Sequence, residues 1–417
     1  VRRRAARART IEDLRRAARR RLPRMVFDFV DGGAEDEFTL GENRRAFSDL
    51  VFRPRVLVDV AERPQATTLL GRPLALPVVL GPAGLVRMAG RAGEAAAAVA
   101  AERCGTVSVV SSGSSVSLAD VAAAVGEPQW FQLYPWGDRR TVRALMGKAR
   151  DAGYEAMVVT VDVPVVGSRE RDLRNGLTVP PQVNARTGAD VLSRPRWLAE
   201  LLTGPGVTFA NFTDLVPRTG TSGLAAMTAG LLNPGHTWAD LEWMVAEWGG
   251  PVMLKGVMTG EDARRAVETG CAAIAVSNHG GRQADSLPAA LDVLEEVVDE
   301  VGREAEVVLD GGVRRGTDVV KALALGARAC LVGRPWVYGL AAGGVAGSVR
   351  AVEILREEID RTLALIGRPG VHALDRSALS ARSARGWWPV PAAPDRGVGH
   401  DPDTNVVRAL TTQVGEP

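Results

Sequence analysis

The residues most suited to chemistry in this 417-residue chain lie in the run Ser277-Asn278-His279-Gly280-Gly281-Arg282. It ends an apolar stretch, where a histidine is held firmly rather than left in solvent. A neutral imidazole near pH 7 is a competent general base. Asp162 ends another apolar stretch, and a carboxylate there would orient His279 and stabilise its protonated form. The same pair of residue types also builds purely structural hydrogen-bond networks, and both readings stand at this point. Lys255 is unusual because the chain has only three lysines among its 51 basic residues. At a strand end its compact ammonium suits negative charge on a cofactor. A lysine that merely snorkels is the plainer alternative. Asp310-Gly311-Gly312-Val313-Arg314 and Gly333-Arg334 combine glycine turns with arginines, a pattern that binds phosphate. Asp-Gly-Gly alone would be only a tight turn.

The elements that must carry these groups follow a repeat. Apolar runs at 77–84, 106–112, 129–134, 156–164, 251–257, 272–281, 306–314 and 329–335 alternate with amphipathic stretches, among them 139–152, 260–269, 288–301 and 317–325. Several of the latter end at glycine, as at Gly153, Gly270 and Gly326. Eight strand–helix units in a row predict an α/β fold, a closed TIM (β/α)8 barrel with an N-terminal helical segment. A doubly wound sheet would show G-x-G-x-x-G after its first strand, and this chain has Gly81-Pro82-Ala83-Gly84 instead. Active sites of barrels lie at the carboxyl ends of the strands. Those ends are Pro82-Ala83-Gly84, Ser111, Gln132 with Tyr134, Thr160 with Asp162, Lys255, Ser277 to Arg282, Asp310 to Arg314, and Gly333-Arg334. The predicted organisation is residues 1–76 as a helical segment packed on the barrel, 77–379 as the barrel, 165–237 as an insertion and 380–417 as a tail poor in order signals. The connection after the fourth strand has one clear helix, Trp238–Trp248. A loop of that length is a lid, a partner-docking insertion or a disordered segment, and its position favours a lid.

Composition excludes several classes. Charged residues make up 24% and net charge is +2, so the whole molecule is not built to bind nucleic acid. The arginines crowded between Arg2 and Arg24 are read as a solvated, partly disordered tail leading into a helix, with a nucleic-acid or membrane arm as the alternative. Cys104, Cys271 and Cys330 form no CxxC pair and sit beside strand starts, which predicts buried free thiols in a reducing compartment. The four histidines are scattered, so no metal site is expected. No apolar run reaches the ~20 residues that span a bilayer, and no secretory pattern is visible, so the reading is cytoplasmic with no membrane anchor.

The motifs also form an ordered series that resembles the FMN-dependent 2-hydroxy-acid oxidase and dehydrogenase family, which includes glycolate oxidase, lactate oxidase and mandelate dehydrogenase. The series is Leu22-Pro23, Phe27-Asp28-Phe29, Gly33-Ala34-Glu35-Asp36-Glu37, Glu42-Asn43-Arg44, Phe52-Arg53-Pro54-Arg55, Phe131-Gln132-Leu133-Tyr134, Thr160-Val161-Asp162, Arg169-Glu170-Arg171-Asp172, Leu254-Lys255-Gly256, Ser277 to Gln283 and Asp310 to Arg314. The resemblance implies oxidation of an (S)-2-hydroxy acid to the 2-oxo acid, with FMN as cofactor. It implies His279 as base, with the proton leaving from carbon or from oxygen, and Asp162 as its partner. Arg282 and Arg169 would bind the substrate carboxylate, and Tyr134 the substrate oxygen. Lys255 would sit by the flavin pyrimidine edge. Pro82, Ala83, Gly84, Ser111, Gln132, Thr160 and Ser277 would line the flavin. Asp310 would meet the ribityl chain, and Gly311, Gly312, Arg314, Gly333 and Arg334 the phosphate. The electron acceptor is oxygen, a quinone or a partner protein. Gly84 beside the flavin leaves space compatible with oxygen. A homo-oligomer, tetramer or octamer, is implied by the resemblance alone.

Two departures bear on the substrate. Phe29 stands where the family usually has a tyrosine that donates to the substrate carboxylate, and Gly113 stands where short-chain oxidases carry a large side chain. Together they favour a larger, aromatic or esterified substrate over glycolate. The alternatives are an FMN barrel with isomerase-like chemistry, against which the His279 and Arg282 pair argues, and a flavin-binding protein without turnover.

Overall fold

A computed structural model describes residues 5–177, 184–215, 232–383 and 386–390. Eight strands, labelled β1 to β8, form one parallel sheet: Val78–Leu80, Val109–Ser111, Trp130–Leu133, Ala156–Thr160, Val252–Val257, Ala273–Ser277, Glu306–Asp310 and Ala329–Val332. Consecutive strands pair in order, β8 pairs with β1, and a bridge from Leu80 to Ser108 closes the ring. The predicted barrel is therefore present, with each strand shorter than its apolar run because the run continues into the loop that carries the chemistry.

Side-chain alternation divides the core. Val79, Val109, Trp130, Val158, Met253, Ala275, Val308 and Leu331 fill the barrel, and Leu69 and Leu74 of a hairpin close its floor. Their neighbours along the strands pack outward against helices in the larger cluster. Burial of both faces explains why the strands read as continuous apolar runs. Residues 139–151, 260–268 and 316–324 are helices, and Gly153, Gly270 and Gly326 after them have φ of 79°, 97° and 111°. The helix expected over 288–301 starts only at Leu294. Asn278 Nδ2 donates to the Pro288 carbonyl at 2.9 Å, which keeps this stretch as a loop against the end of β6.

The first 76 residues are not purely helical, because they also supply the floor hairpin. Two of their helices matter for the site: α1 (Ile11–Arg21) and α2 (Arg24–Asp31). α1 buries Ile11, Leu14 and Ala18, so the basic stretch leads into a packed helix with Arg16, Arg19 and Arg20 on its exposed face. Arg15 pairs with Asp31, and Arg21 with Glu200. Residues 1–4 of the basic stretch lie outside the described residues.

Two expectations are corrected. The insertion holds more than one helix: Glu170–Arg174, Ala185–Leu192 and Pro195–Thr203 precede Trp238–Trp248. Asn184 caps the second and Pro195 opens the third, which packs Trp197, Leu198 and Leu201 on the core. The expected tail begins as a strand. Leu379–Ser383 pairs antiparallel with Leu50–Phe52 and with Gly386–Pro389, because buried Leu379 and Ala378 anchor it. Residues 391–417 lie outside the described residues. Cys104, Cys271 and Cys330 are buried free thiols, and Cys104 ends a helix rather than opening a strand. Among the described residues no helix is long and apolar enough to cross a membrane, and no cluster of three or more metal-ligating side chains occurs.

Candidate active site

A cavity of about 260 Å³ opens at the carboxyl ends of the strands. Its wall includes Phe29, Pro82, Ala83, Gly84, Tyr134, Thr160, Arg169, Lys255, His279, Arg282, Asp310, Gly311, Gly312, Arg314, Gly333 and Arg334. Asp162, Ser111, Gln132 and Ser277 are not on the wall. Asp162, Ser111 and Ser277 bond to His279, Gly113 and Lys255 on it, and Gln132 Nε2 is buried without a partner among the described residues.

His279 is in a left-handed backbone conformation, φ 57°, followed by Gly280 at 64° and Gly281 at 71°. For a residue with a side chain this costs about 1–2 kcal/mol. The turn is fastened by Ser277 Oγ accepting from His279 N at 3.0 Å and by a reciprocal pair of amide hydrogen bonds between Asn278 and Asn43. His279 Nδ1 lies 2.9 Å from Asp162 Oδ1, and His279 Nε2 lies 3.3 Å from the Tyr134 hydroxyl. Burial opposes the charge on Asp162, but His279 and Lys255 outweigh it and hold its pKa below the ordinary value. An ionised carboxylate only accepts, so Nδ1 carries the proton and Nε2 presents its lone pair to the cavity. Burial pushes the Tyr134 phenol up to about 12, so it stays a donor.

Asp162 approaches because β5 has a bulge after Lys255. The register slips between Lys255 and Val257, and Gly256 has φ 108°. A Cβ on Gly256 would lie 2.8 Å from that of Asp162. Lys255, 3% exposed, donates to Ser277 Oγ at 2.9 Å and pairs with Asp310 at 2.7 Å. Burial alone would lower its pKa, but Asp310 and Asp162 raise it, so the ammonium persists.

Opposite His279, the Arg169 and Arg282 guanidiniums lie 5.6 and 5.3 Å from the centre of the Phe29 ring. Arg282 donates to the carbonyls of Phe29 and Gly32, while Arg169 pairs with Asp172 at 3.3 Å. Burial, then Arg169 and Arg334, push Arg282 down to about 9. This uncompensated positive charge is a place prepared for an anion. Arg334 also lines the wall, with hydrogen bonds to the carbonyls of Val30, Gly280 and Gly32. Arg314 lies over the Tyr338 ring at 5.9 Å, and burial lowers its pKa to about 10.

Several wall residues had no warning in the motifs. Trp136 stacks on Tyr134 with ring centres 4.6 Å apart, and Phe209 of the insertion meets Trp136 edge-on at 6.0 Å. Val163, Val166, Leu85 and Met88 also line the cavity. Trp136 was findable, two residues beyond Tyr134 at a strand end. Phe209 was not, because only the tertiary path of the insertion brings it here. Its ring comes 3.5 Å from a Cβ built on Gly113, so it occupies part of the room that the small residue leaves. The space expected at Gly84 is likewise taken. A Cβ there would lie 2.7 Å from the Gly113 carbonyl, so Gly84 permits two loops to touch at the cavity wall.

Residues 18–381 match the family model described as FMN-dependent dehydrogenase. The chain is 45% identical over 367 residues to the L-lactate oxidase of Nostoc sp., covering 87% of this chain and 95% of that one. It is 40% identical over 375 residues to a peroxisomal (S)-2-hydroxy-acid oxidase of Oryza sativa subsp. japonica, covering 90% and 96%. Among solved structures, the monotopic membrane protein (S)-mandelate dehydrogenase superposes with a TM-score of 0.85 at 37% identity, covering 89% of this chain and 99% of the other.

Proposed function

The chain belongs to the FMN-dependent dehydrogenase family, and from that premise we propose that it oxidises an (S)-2-hydroxy acid with a bulky aromatic substituent, using His279 as the base. Its activity class is FMN-dependent oxidation of a 2-hydroxy acid to the 2-oxo acid. The observation that carries the base is the 2.9 Å contact between His279 Nδ1 and Asp162 Oδ1, with Nε2 left towards the cavity.

The residues present fit FMN. Gln132 Nε2 and Thr160 Oγ1 are buried without a partner among the described residues, and Lys255 is a buried ammonium at the same end of the barrel. Buried polar atoms of this kind call for a ligand rich in acceptors and donors. Lys255, Gln132 and Thr160 would hold the ring, Asp310 the ribityl chain, and the turns at Gly311, Gly312 and Gly333 with Arg314 and Arg334 the phosphate. FMN, when bound, supplies the two-electron acceptor. The flavin-binding unit is residues 77–379; within the insertion at 165–237, whose residues 178–183 and 216–231 lie outside the described ones, Val166, Arg169 and Phe209 reach the cavity wall.

The chain's own residues supply the rest. Arg282 and Arg169 bind the substrate carboxylate, a bidentate task suited to planar guanidiniums. Tyr134 donates to the substrate oxygen. His279 Nε2 takes the proton, and Asp162 stabilises the imidazolium that results. Phe29, Trp136 and Phe209 give an apolar, aromatic wall that favours an aryl substituent over a methyl or hydrogen. The fold similarity to a mandelate dehydrogenase supports the same reading. The cytoplasmic assignment is supported by three buried free cysteines. A homo-oligomer of four or eight chains rests on the family resemblance alone, and the acceptor is oxygen, a quinone or a partner protein.

A panel of 2-hydroxy acids mixed anaerobically with the yellow enzyme tests the substrate. Mandelate-like acids should bleach it fastest. Faster bleaching by glycolate would overturn the aromatic assignment.

A further inference from the structure

Late in the insertion after β4 the chain dips into the core. Phe209, Asn211 and Phe212 are buried, while Pro205, Gly206 and Thr208 before them and Thr213 and Asp214 after them are exposed. A short 3-10 turn, Ala210–Phe212, brings the two phenylalanine rings together with centres 6.3 Å apart. We propose that Phe209 sets how long a substrate substituent the active site accepts, and that Asn211 is the positioning residue that docks it there. The proposal rests on the reading of the site as one for a 2-hydroxy acid.

Both ends of the Asn211 amide are fastened to the chain that follows β2. Oδ1 accepts from Leu118 N at 2.9 Å. Nδ2 donates to the Ser112 carbonyl at 3.2 Å and to Ser114 Oγ at 3.0 Å. Beside it, Ala210 N donates to the Ser114 carbonyl at 3.0 Å, and Lys148 Nζ donates to the Asn211 carbonyl at 2.8 Å. A buried amide satisfied in this way holds one arrangement, because a shift strands a donor or an acceptor. Asn211 is not on the cavity wall, so its effect on a substrate passes through Phe209, which is.

Two ring carbons of Phe209 lie 3.5 and 3.7 Å from a Cβ built on Gly113, so a longer side chain at 113 and this ring would claim the same space. Bulk at this point of the wall therefore comes from the insertion and not from the strand end. Phe209 meets Trp136 edge-on, Trp136 stacks on Tyr134, and the Tyr134 hydroxyl is 3.3 Å from His279 Nε2. Arg169 and Arg282 take the carboxylate, and His279 with Tyr134 the carbinol. The apolar wall of Trp136 and Phe209 is left to bound the substituent. Removing the Phe209 ring lengthens the pocket there without removing a polar group of the site.

The test is anaerobic flavin reduction of the FMN-loaded enzyme by (S)-mandelate and by its naphthyl analogue, read as the ratio of second-order rate constants, naphthyl over phenyl. Phe209→Ala should raise that ratio about tenfold or more over wild type. Asn211→Leu should raise it in the same sense. The double variant Phe209→Ala/Asn211→Leu should add nothing beyond Phe209→Ala, because Asn211 acts through the ring it docks. A merely structural role would slow both acids alike and leave the ratio unmoved. Gly113→Leu combined with Phe209→Ala, which returns bulk from the other loop, should bring the ratio back towards wild type. Flavin absorbance and circular dichroism verify folding, and Asn211→Ser replaces Asn211→Leu should the latter not fold. An unchanged ratio in Phe209→Ala overturns the proposal, and shifts that add in full in the double variant overturn the role of Asn211. If neither aryl acid bleaches wild type, the aromatic reading fails, and the ratio of 2-hydroxyoctanoate to lactate decides the role of Phe209 instead.

Discussion

His279 Nδ1 and Asp162 Oδ1 face each other at 2.9 Å across the ends of two strands, β6 and β4, that are not neighbours in the barrel. The bulge at Lys255-Gly256 on the strand between them makes the room. The contact fixes the imidazole tautomer that leaves Nε2 basic. Asp162→Asn should keep FMN and lower kcat by about 10²-fold or more, because the amide neither fixes that tautomer nor stabilises the imidazolium. Steady-state kinetics with an unchanged flavin spectrum check this.

Phe29→Tyr should tighten binding of small 2-hydroxy acids. The added hydroxyl enters the region of Arg169 and Arg282, where it can donate to the substrate carboxylate. A hydrogen bond to a charged group contributes about 1.5–3 kcal/mol, or about 10- to 150-fold. KM for lactate or glycolate should fall within that range while kcat changes less.

Lys255→Met should destabilise the fold as well as weaken FMN binding. Lys255 is buried and pairs at 2.7 Å with Asp310, a half-buried residue of the cavity wall, so losing the ammonium leaves that carboxylate unpaired. The cost is about 1–3 kcal/mol. Urea unfolding of the two apoproteins measures it apart from the contribution of bound FMN.

Asp31→Asn gives a pH-dependent loss. Burial opposes ionisation of Asp31, but hydrogen bonds from Arg15 and Tyr338 outweigh it and bring its pKa to about 2. A carboxylate lowered on folding stabilises the protein above its unfolded pKa, and that contribution disappears as pH falls through the folded one. The variant should therefore be about 2 kcal/mol less stable than wild type at pH 7. The difference should shrink between about pH 4 and pH 2. Denaturant unfolding across that window reads it directly.

The barrel was legible because strands buried on both faces write themselves as apolar runs, and the active-site groups sit where those runs end. His279, Lys255 and the glycine turns were found that way. Asp162 stands 2.9 Å from the base, as expected, while Ser111, Gln132 and Ser277 lie off the cavity wall, since a strand's last residues alternate between wall and support. The insertion was read poorly. Its helix at Ala185–Leu192 is only eight residues long and fully buries none of them, so its short amphipathic pattern is weak, although Asn184 and Thr187 form a capping box. Phe209 and the contact between Gly84 and Gly113 depend on where distant loops meet, which local pattern does not encode. In the arginine-rich start Arg16, Arg19 and Arg20 are exposed, as expected, while the partners that hold Arg15 and Arg21, Asp31 and Glu200, are distant in sequence.

The central claim is that His279 is the base of a 2-hydroxy-acid oxidation. Anaerobic rapid mixing of wild type and His279→Gln with (S)-mandelate, followed at the flavin absorbance, tests it most directly. Both proteins should be yellow before mixing. Wild type should bleach, and the variant should bleach about 10²- to 10⁴-fold more slowly. Bleaching of the yellow variant at the wild-type rate would contradict the account.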